Sequence, residues 1–84
     1  MKKFVISTMI NCNSYPVMNV VMTDDIHKVM DDDGHPTDKM MEILIYKRPY
    51  IEVFIKNYDL KKTDIYCNYL CIDNDCIPSP HKVD

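Results

Sequence analysis

Between residues 2 and 10 the hydrophobic and polar side chains divide between two faces of an extended chain, with Phe4, Ile6 and Ile10 on one face and Val5, Ser7 and Met9 on the other. This period of two predicts a β-strand, because successive side chains of a strand point to opposite faces of a sheet. The next segment, NCNSYP, is rich in turn-forming residues, so the apolar segment 17–23 is expected to return as the second strand of a hairpin. A short helix can follow, capped by Thr23 or Asp24 and running through Met30, since Gly34 and Pro36 are stop signals beyond it.

The stretch from residue 38 to residue 47 carries signals for both helix and strand. Its ends are helical in character, since Thr37 or Asp38 can cap a helix and Pro49 would stop one. Its interior, MEILIY, is apolar almost all round, which is typical of a short buried strand. We interpret the stretch as a strand, followed by another at residues 51–56, where apolar and polar residues alternate again.

The elements together predict a small α+β fold in a chain of 84 residues. With a further strand at residues 65–72, we expect an antiparallel sheet of four or five strands with one or two short helices. The chain contains no alanine, which favours strands over long helices. We predict a single domain over residues 1–84, in which residues 73–84 form an irregular tail.

Charge and hydropathy limit the classes of partner. The net charge of -3 does not suit a duplex-DNA binder, and no apolar run approaches the roughly 20 residues of a membrane span. We therefore expect neither duplex DNA nor a membrane as a partner, and a cytoplasmic protein with reduced thiols. The residue bias is typical of AT-rich genomes, including those of many bacteriophages and large DNA viruses, in which case the compartment is the host cytoplasm.

Basic and aromatic residues are concentrated between residues 46 and 66. Residues 43–66 carry a net charge of +2, from five cations and three acids. Tyrosines beside cations can hold single-stranded RNA by stacking and phosphate contact, although the same residues are also common at sheet surfaces. We predict that this segment is the RNA- or partner-binding site, through Tyr46, Lys47, Arg48, Tyr50, Lys56, Tyr58, Lys61, Lys62 and Tyr66.

Three cysteines and a histidine lie within CNYLCIDNDCIPSPH, residues 67–81, at a spacing that structural zinc sites allow. If residues 65–72 form a strand, Cys67 and Cys71 are about 13 Å apart and cannot bind the same ion. We therefore favour reduced thiols that pack as small hydrophobic side chains, and expect no cofactor. Cys71, Cys76 and His81 remain the alternative zinc ligands.

The sequence carries none of the common catalytic motifs. There is no G-x-S-x-G, phosphate-binding loop or H-E-x-x-H, and MDDDGHPTD lacks the spacing of a calcium loop. Three histidines and four cysteines allow a Cys-His pair by composition alone, which is weak support for catalysis. We therefore expect no enzymatic activity.

Binding is the function class that the sequence favours. Seven methionines adapt well to irregular apolar surfaces, and a small sheet with free edges can add a strand to a partner. The leading hypothesis is a small interaction protein that binds another protein and modulates it, most simply by inhibition. If the chain is viral, a host enzyme, nuclease or toxin is the natural target. An RNA-binding module and a small zinc-binding domain are the alternatives, and homo-oligomerisation stays open.

Overall fold

The computed structural model describes residues 2–10, 15–72 and 81–83. They form a small α+β fold whose elements are, in chain order, β1 Lys2–Met9, β2 Val17–Thr23, α1 Asp38–Lys47, α2 Tyr50–Asn57, β3 Tyr66–Ile72 and β4 His81–Lys82. Two single 3-10 turns lie at Ile26–Lys28 and Lys62–Asp64. The strands predicted at residues 2–10, 17–23 and 65–72 are confirmed.

β1 is the central strand of the sheet and pairs antiparallel with both β2 and β3. β4 contributes only two residues, which pair parallel with β2, so the strand order is β3-β1-β2-β4. The prediction of four or five antiparallel strands is wrong, because the antiparallel sheet formed by the described residues has three strands. Two segments that were expected to belong to the sheet are helical instead.

The first of these segments is α1, which was interpreted as a strand. Thr37 precedes the helix, and its side-chain oxygen accepts a hydrogen bond from the Met40 backbone N–H. Met40, Ile43 and Leu44 are its buried residues, at the i, i+3, i+4 spacing of one helical face. The capping signals therefore outweigh the apolar run, whose remaining side chains lie on the flanks of the helix.

The second segment is α2, where alternation between residues 51 and 56 predicted a strand. Ile51 is fully buried, while Phe54 and Ile55 pack against the core, again at helical spacing. Val53 belongs to the apolar set of the alternating pattern, yet its side chain is 58% exposed. In a segment of only six residues, the helical period of 3.6 and the strand period of 2 place several of the same residues on one face, so the alternating pattern predicts the wrong element.

The core lies between the sheet and the two helices. Phe4 and Ile6 of β1 point into it, and Thr8 continues the same buried face. Helices cover this one face of the sheet, which gives a two-layer arrangement. The buried apolar residues are Phe4, Ile6, Ile10, Val21, Val29, Met30, Met40, Ile43, Leu44, Ile51, Ile65 and Cys67.

The connection between β2 and α1 folds back onto the edge of β3. The helix expected after Thr23 is only the 3-10 turn Ile26–Lys28, which the Asp25 side chain caps. Asp31 accepts hydrogen bonds from the backbone N–H groups of Asp33 and His35, and this closes a tight acidic turn. Gly34 has φ +83°, and its carbonyl oxygen accepts a hydrogen bond of 2.6 Å from the Cys67 N–H. The turn therefore occupies the start of the β3 edge.

Neither α1 nor α2 is long and apolar enough to cross a membrane, and the same holds for every helix in the described ranges.

Candidate docking surface

The side of the sheet that faces away from the helices is apolar. Residues paired across neighbouring strands place their side chains on the same face, so Val5 lies in one row with Val20 on β2 and Leu70 on β3. Leu70 is 65% exposed and Met18 is 51% exposed. We call this surface the open sheet face; its apolar residues are Val5, Met9, Met18, Val20, Met22, Leu70 and Ile72.

No helix or strand among the described residues covers the open sheet face. Both helices pack on the opposite side, where Met40, Leu44 and Ile51 join Phe4 and Ile6 in the core. Contiguous exposed apolar patches are uncommon on monomeric soluble proteins, and large ones mark interaction sites. Methionine is also enriched at such sites, because its flexible side chain adapts to the partner surface.

The outer edge of β3 carries backbone groups that are available for pairing. The Cys67 N–H points away from β1, since it donates to Gly34, and N–H directions alternate along a strand. The N–H and C=O groups of Tyr69 and Cys71 therefore point outward as well. Within residues 2–10, 15–72 and 81–83 these groups have no hydrogen-bond partner. This edge can accept another strand.

The outer edge of β2 is protected. The Arg48 guanidinium, at the end of α1, lies 3.3 Å from the Asn19 side-chain oxygen and 3.5 Å from the Met18 carbonyl oxygen. Further along, β4 covers the edge, and the Val83 N–H donates to the Met22 carbonyl oxygen at 3.0 Å. The two edges of the sheet therefore differ in their accessibility.

The composition of β3 leaves its edge without the usual protection. Natural edge strands carry charged residues, proline or bulges, which discourage pairing with other chains. The β3 sequence, YCNYLCI, contains no charge, proline or glycine. Its exposed residues include Tyr69 and Leu70, which are large and largely apolar. The edge and the open sheet face meet at Leu70, so together they form one candidate docking surface.

The nine residues predicted to bind RNA or a partner do not form one patch. Tyr46, Lys47 and Arg48 lie at the end of α1, whereas Lys62 bonds Asp38 at its start, so the two groups lie about 15 Å apart along the helix. Tyr58 and Lys61 follow α2, and Tyr66 begins β3, where its ring contacts His35 at a centroid distance of 4.9 Å.

Several of the predicted cations are already engaged. Lys56 pairs with Glu52 at 3.0 Å, and Lys62 pairs with Asp38 at 2.6 Å. In the described part of the chain, Lys47 makes no ion pair. Both ion pairs are exposed, and exposed ion pairs contribute little free energy, so each lysine can still exchange its partner.

A shallow apolar cleft lies beside the turn between the helices. Its volume is about 250 Å³, and its walls are Ile10, Tyr15, Val17, Tyr50, Ile51 and Phe54. Of these, Tyr15 and Tyr50 are largely exposed. Tyr50 is the one residue of the predicted binding set that lines this cleft. The cleft can receive an apolar side chain or an aromatic ring.

A histidine and two aspartates form a polar cluster in the β2–α1 connection. The His27 Nδ1 atom is 3.2 Å from Asp25, and its Nε2 atom is 2.6 Å from Asp32. Hydrogen bonds from His27 to Asp32 and then to Asp25 raise the pKa of His27. The pKa of Asp25 is lowered, first by the His27 backbone N–H. All three side chains are well exposed, so the cluster organises the connection rather than forming an enclosed site.

The residues of the alternative zinc site are only partly within the described ranges. Cys71 lies exposed on β3, while Cys76 and the side chain of His81 lie outside the described residues. Cys67 is buried and its sulfur lies 3.5 Å from the Thr8 hydroxyl oxygen, and burial raises the pKa of the Cys67 thiol. Among described residues, no three His, Cys, Asp or Glu side chains are placed to hold a metal ion.

Sequence reasoning missed the open sheet face. The signal was present, because β1 carries Val5 and Met9 on the face opposite Phe4 and Ile6, so the strand is apolar on both sides. In the sequence this pattern predicts a strand, but it does not indicate which of the two faces the helices cover. No protein-family model, curated protein or solved structure matches the chain.

Proposed function

We propose that this protein is a non-catalytic interaction protein that docks onto another, larger protein through the open sheet face. The observation that carries the proposal is an apolar sheet surface opposite the helices, with Leu70 and Met18 more than half exposed. Burying such a surface against a partner is favourable, at about 25 cal/mol for each Å² of apolar area removed from water.

The proposed effect on the partner is modulation, most simply inhibition. A small domain that covers an active site or a substrate-binding surface needs only shape and apolar complementarity. The residue bias of the chain suggests a viral origin, and a host enzyme, nuclease or toxin is then the proposed target class. Lys3 is the one charged residue on the open sheet face of the three antiparallel strands, so the partner surface is expected to be mainly apolar.

The test compares two charged variants in affinity capture from the cells in which the protein is naturally made. Met18→Asp places a charge on the open sheet face, while Val53→Asp places one at a similarly exposed apolar position on α2. We expect Met18→Asp to reduce recovery of the specific partner at least about tenfold, because a desolvated charge opposes binding. Val53→Asp should recover the partner at the wild-type level.

Both variants must first show wild-type circular dichroism and unfolding curves, so that a loss of capture reports the surface and not the fold. The proposal is wrong if Met18→Asp recovers the same partner as efficiently as the wild-type protein, or if both variants lose it equally. Direct binding of the purified partner, measured by calorimetry, then gives the affinity ratio between the two variants.

A second candidate function is contact with single-stranded RNA at the helix-turn end of the molecule. It rests on the exposed rings of Tyr15 and Tyr50 at the apolar cleft, and Tyr50 follows Lys47 and Arg48 closely in the sequence. The same capture experiment distinguishes it. Nuclease treatment should release an RNA-dependent partner, and affinity for RNA should fall steeply between about 50 and about 200 mM salt. Docking through an apolar face should survive both treatments.

A further inference from the structure

We propose that β3 pairs antiparallel with β3 of a second copy of the chain, which gives a dimer whose two-fold axis passes beside Leu70. The available edge of β3 carries outward N–H and C=O groups on Tyr69 and Cys71, and no described residue pairs with them. Two identical edges of this kind can satisfy each other, because an antiparallel pair about a two-fold axis places the same surface on both sides.

The acidic turn determines the register of this pairing. Gly34 occupies the edge beside Cys67, where its carbonyl oxygen accepts the Cys67 N–H. A second strand can therefore pair only beyond Cys67, along the segment from Asn68 to Ile72. A two-fold axis at the midpoint of that segment places Leu70 opposite Leu70 of the partner subunit.

The hydrogen bonds agree with this register. Tyr69 then lies opposite Cys71 of the partner subunit, and Cys71 lies opposite Tyr69 of the partner subunit. Both residues direct their backbone groups outward, so each of these pairs exchanges two N–H to C=O hydrogen bonds. A shift of the register by one residue would place outward groups against inward ones and leave them without partners.

The side chains agree as well. On the open sheet face, one row of side chains runs from Val20 through Val5 to Leu70. Across the two-fold axis the row continues with Leu70, Val5 and Val20 of the partner subunit. The two open sheet faces become one apolar surface on a sheet of at least six antiparallel strands. No charged side chain of β3 opposes the approach.

A second copy fits this edge better than an unrelated strand does, because the pairing is self-complementary in length, in backbone direction and in apolar character. The paired segment is only five residues long in each subunit, from Asn68 to Ile72. It therefore buries less accessible surface than stable complexes do, for which about 1,200 Å² is the lower end. We therefore expect a weak dimer, with a dissociation constant in the micromolar range, whose population depends on protein concentration.

The test uses opposite charges at the two-fold axis. Leu70→Lys and Leu70→Glu each place like charges directly opposite one another, so each variant alone should dimerise at least about tenfold more weakly than the wild-type chain. An equimolar mixture of the two should form a heterodimer, because the axis then pairs lysine with glutamate. Analytical ultracentrifugation measures all three samples, and Val53→Lys serves as the control that keeps the wild-type dimer.

A cysteine placed on the two-fold axis gives a second measurement, which does not require the dimer to be tight because oxidation links the two subunits covalently. The background for this measurement is a chain with Cys12, Cys71 and Cys76 changed to serine. In it, Leu70→Cys places one cysteine of each subunit at the two-fold axis, with the two Cα atoms about 4.5 Å apart, a distance that a disulfide can span. Mild oxidation should link this variant into dimers. Asn68→Cys in the same background should not link, because Asn68 lies opposite Ile72 of the partner subunit.

The dimer proposal is overturned by a wild-type chain that stays monomeric up to about 1 mM. It is also overturned by charge variants that fail to combine, or by oxidation that links Asn68→Cys as fast as Leu70→Cys. The test of the dimer can be distinguished from the test of the proposed function. Met18 lies two strands away from the β3 edge, so Met18→Asp should lose the partner protein and keep the dimer.

Discussion

His27 links the two sides of the connection between β2 and α1. Its two ring nitrogens contact Asp25 and Asp32, which lie on either side of it in the sequence. Only a protonated imidazole donates to both carboxylates, so the charged form is the one that holds the connection together. The three groups are exposed, and their effect on the free energy of unfolding is accordingly modest.

We expect the pKa of His27 to lie above the ordinary value of 6.5, chiefly because of Asp32 and then Asp25. A raised pKa in the folded state contributes stability that is complete below 6.5 and is lost as the pH rises through the folded-state value. Asp25 has a lowered pKa, so its contribution is present above 3.8 and is lost as the pH falls. The cluster therefore stabilises the fold most between these two values.

The measurement is an NMR titration of the His27 ring protons. Asp32→Asn should bring the pKa of His27 down towards 6.5, because it removes the largest cause of the shift. Asp33→Asn is the matched control, since its carboxylate lies in the same acidic turn without contacting the His27 ring. Equal shifts in the two variants would show that general acidity of the turn, and not the Asp32 contact, sets the pKa.

At the scale of elements, the sequence was sufficient for the strands and insufficient for the helices. The three antiparallel strands are short runs rich in apolar residues, and in β1 the burial of Phe4 and Ile6 on one face preserves the period of two. The α1 and α2 segments are short, and their apolar residues satisfy both periods. Thr37 and Pro49 carried the decisive information, because capping and φ restriction act at single positions that a periodicity count ignores.

The capping role of Thr37 leads to a stability prediction. Its hydroxyl oxygen accepts from the Met40 N–H and its hydroxyl donates to the Lys28 carbonyl oxygen at 2.7 Å. Thr37→Ala removes both bonds, so we expect the free energy of unfolding to fall by about 1 to 2 kcal/mol in urea denaturation. Thr37→Ser keeps the hydroxyl and should lose less than half as much. A Thr37→Ala protein as stable as the wild type would mean that the cap does not hold α1 in place.

At the scale of the molecule, the candidate site arises from the arrangement of layers. The helices cover one face of the sheet and Arg48 and β4 cover one edge, so the uncovered face and edge adjoin each other at Leu70. Charge and aromatic content along the sequence indicate instead the basic segment between residues 46 and 66, which the fold distributes over both ends of α1. A linear pattern reports charge and hydropathy, but which apolar face lacks a covering layer depends on where the helices pack.

Arg48 is the residue through which this asymmetry of edges can be tested. Its guanidinium contacts the Asn19 side chain, which is buried and whose nitrogen has no partner among the described residues, and it also approaches the Met18 carbonyl oxygen. Arg48→Ala leaves the Asn19 amide wholly unsatisfied, so we expect a loss of about 1 to 3 kcal/mol in the free energy of unfolding.

The same variant, Arg48→Ala, also uncovers part of the β2 edge. A chain with two available edges can pair at both, so the variant should form assemblies larger than a dimer as its concentration rises. Light scattering after size-exclusion chromatography measures this, with Lys47→Ala as the neighbouring control that keeps the edge covered. An Arg48→Ala protein with wild-type stability and the same size distribution would show that β4 alone protects this side of the sheet.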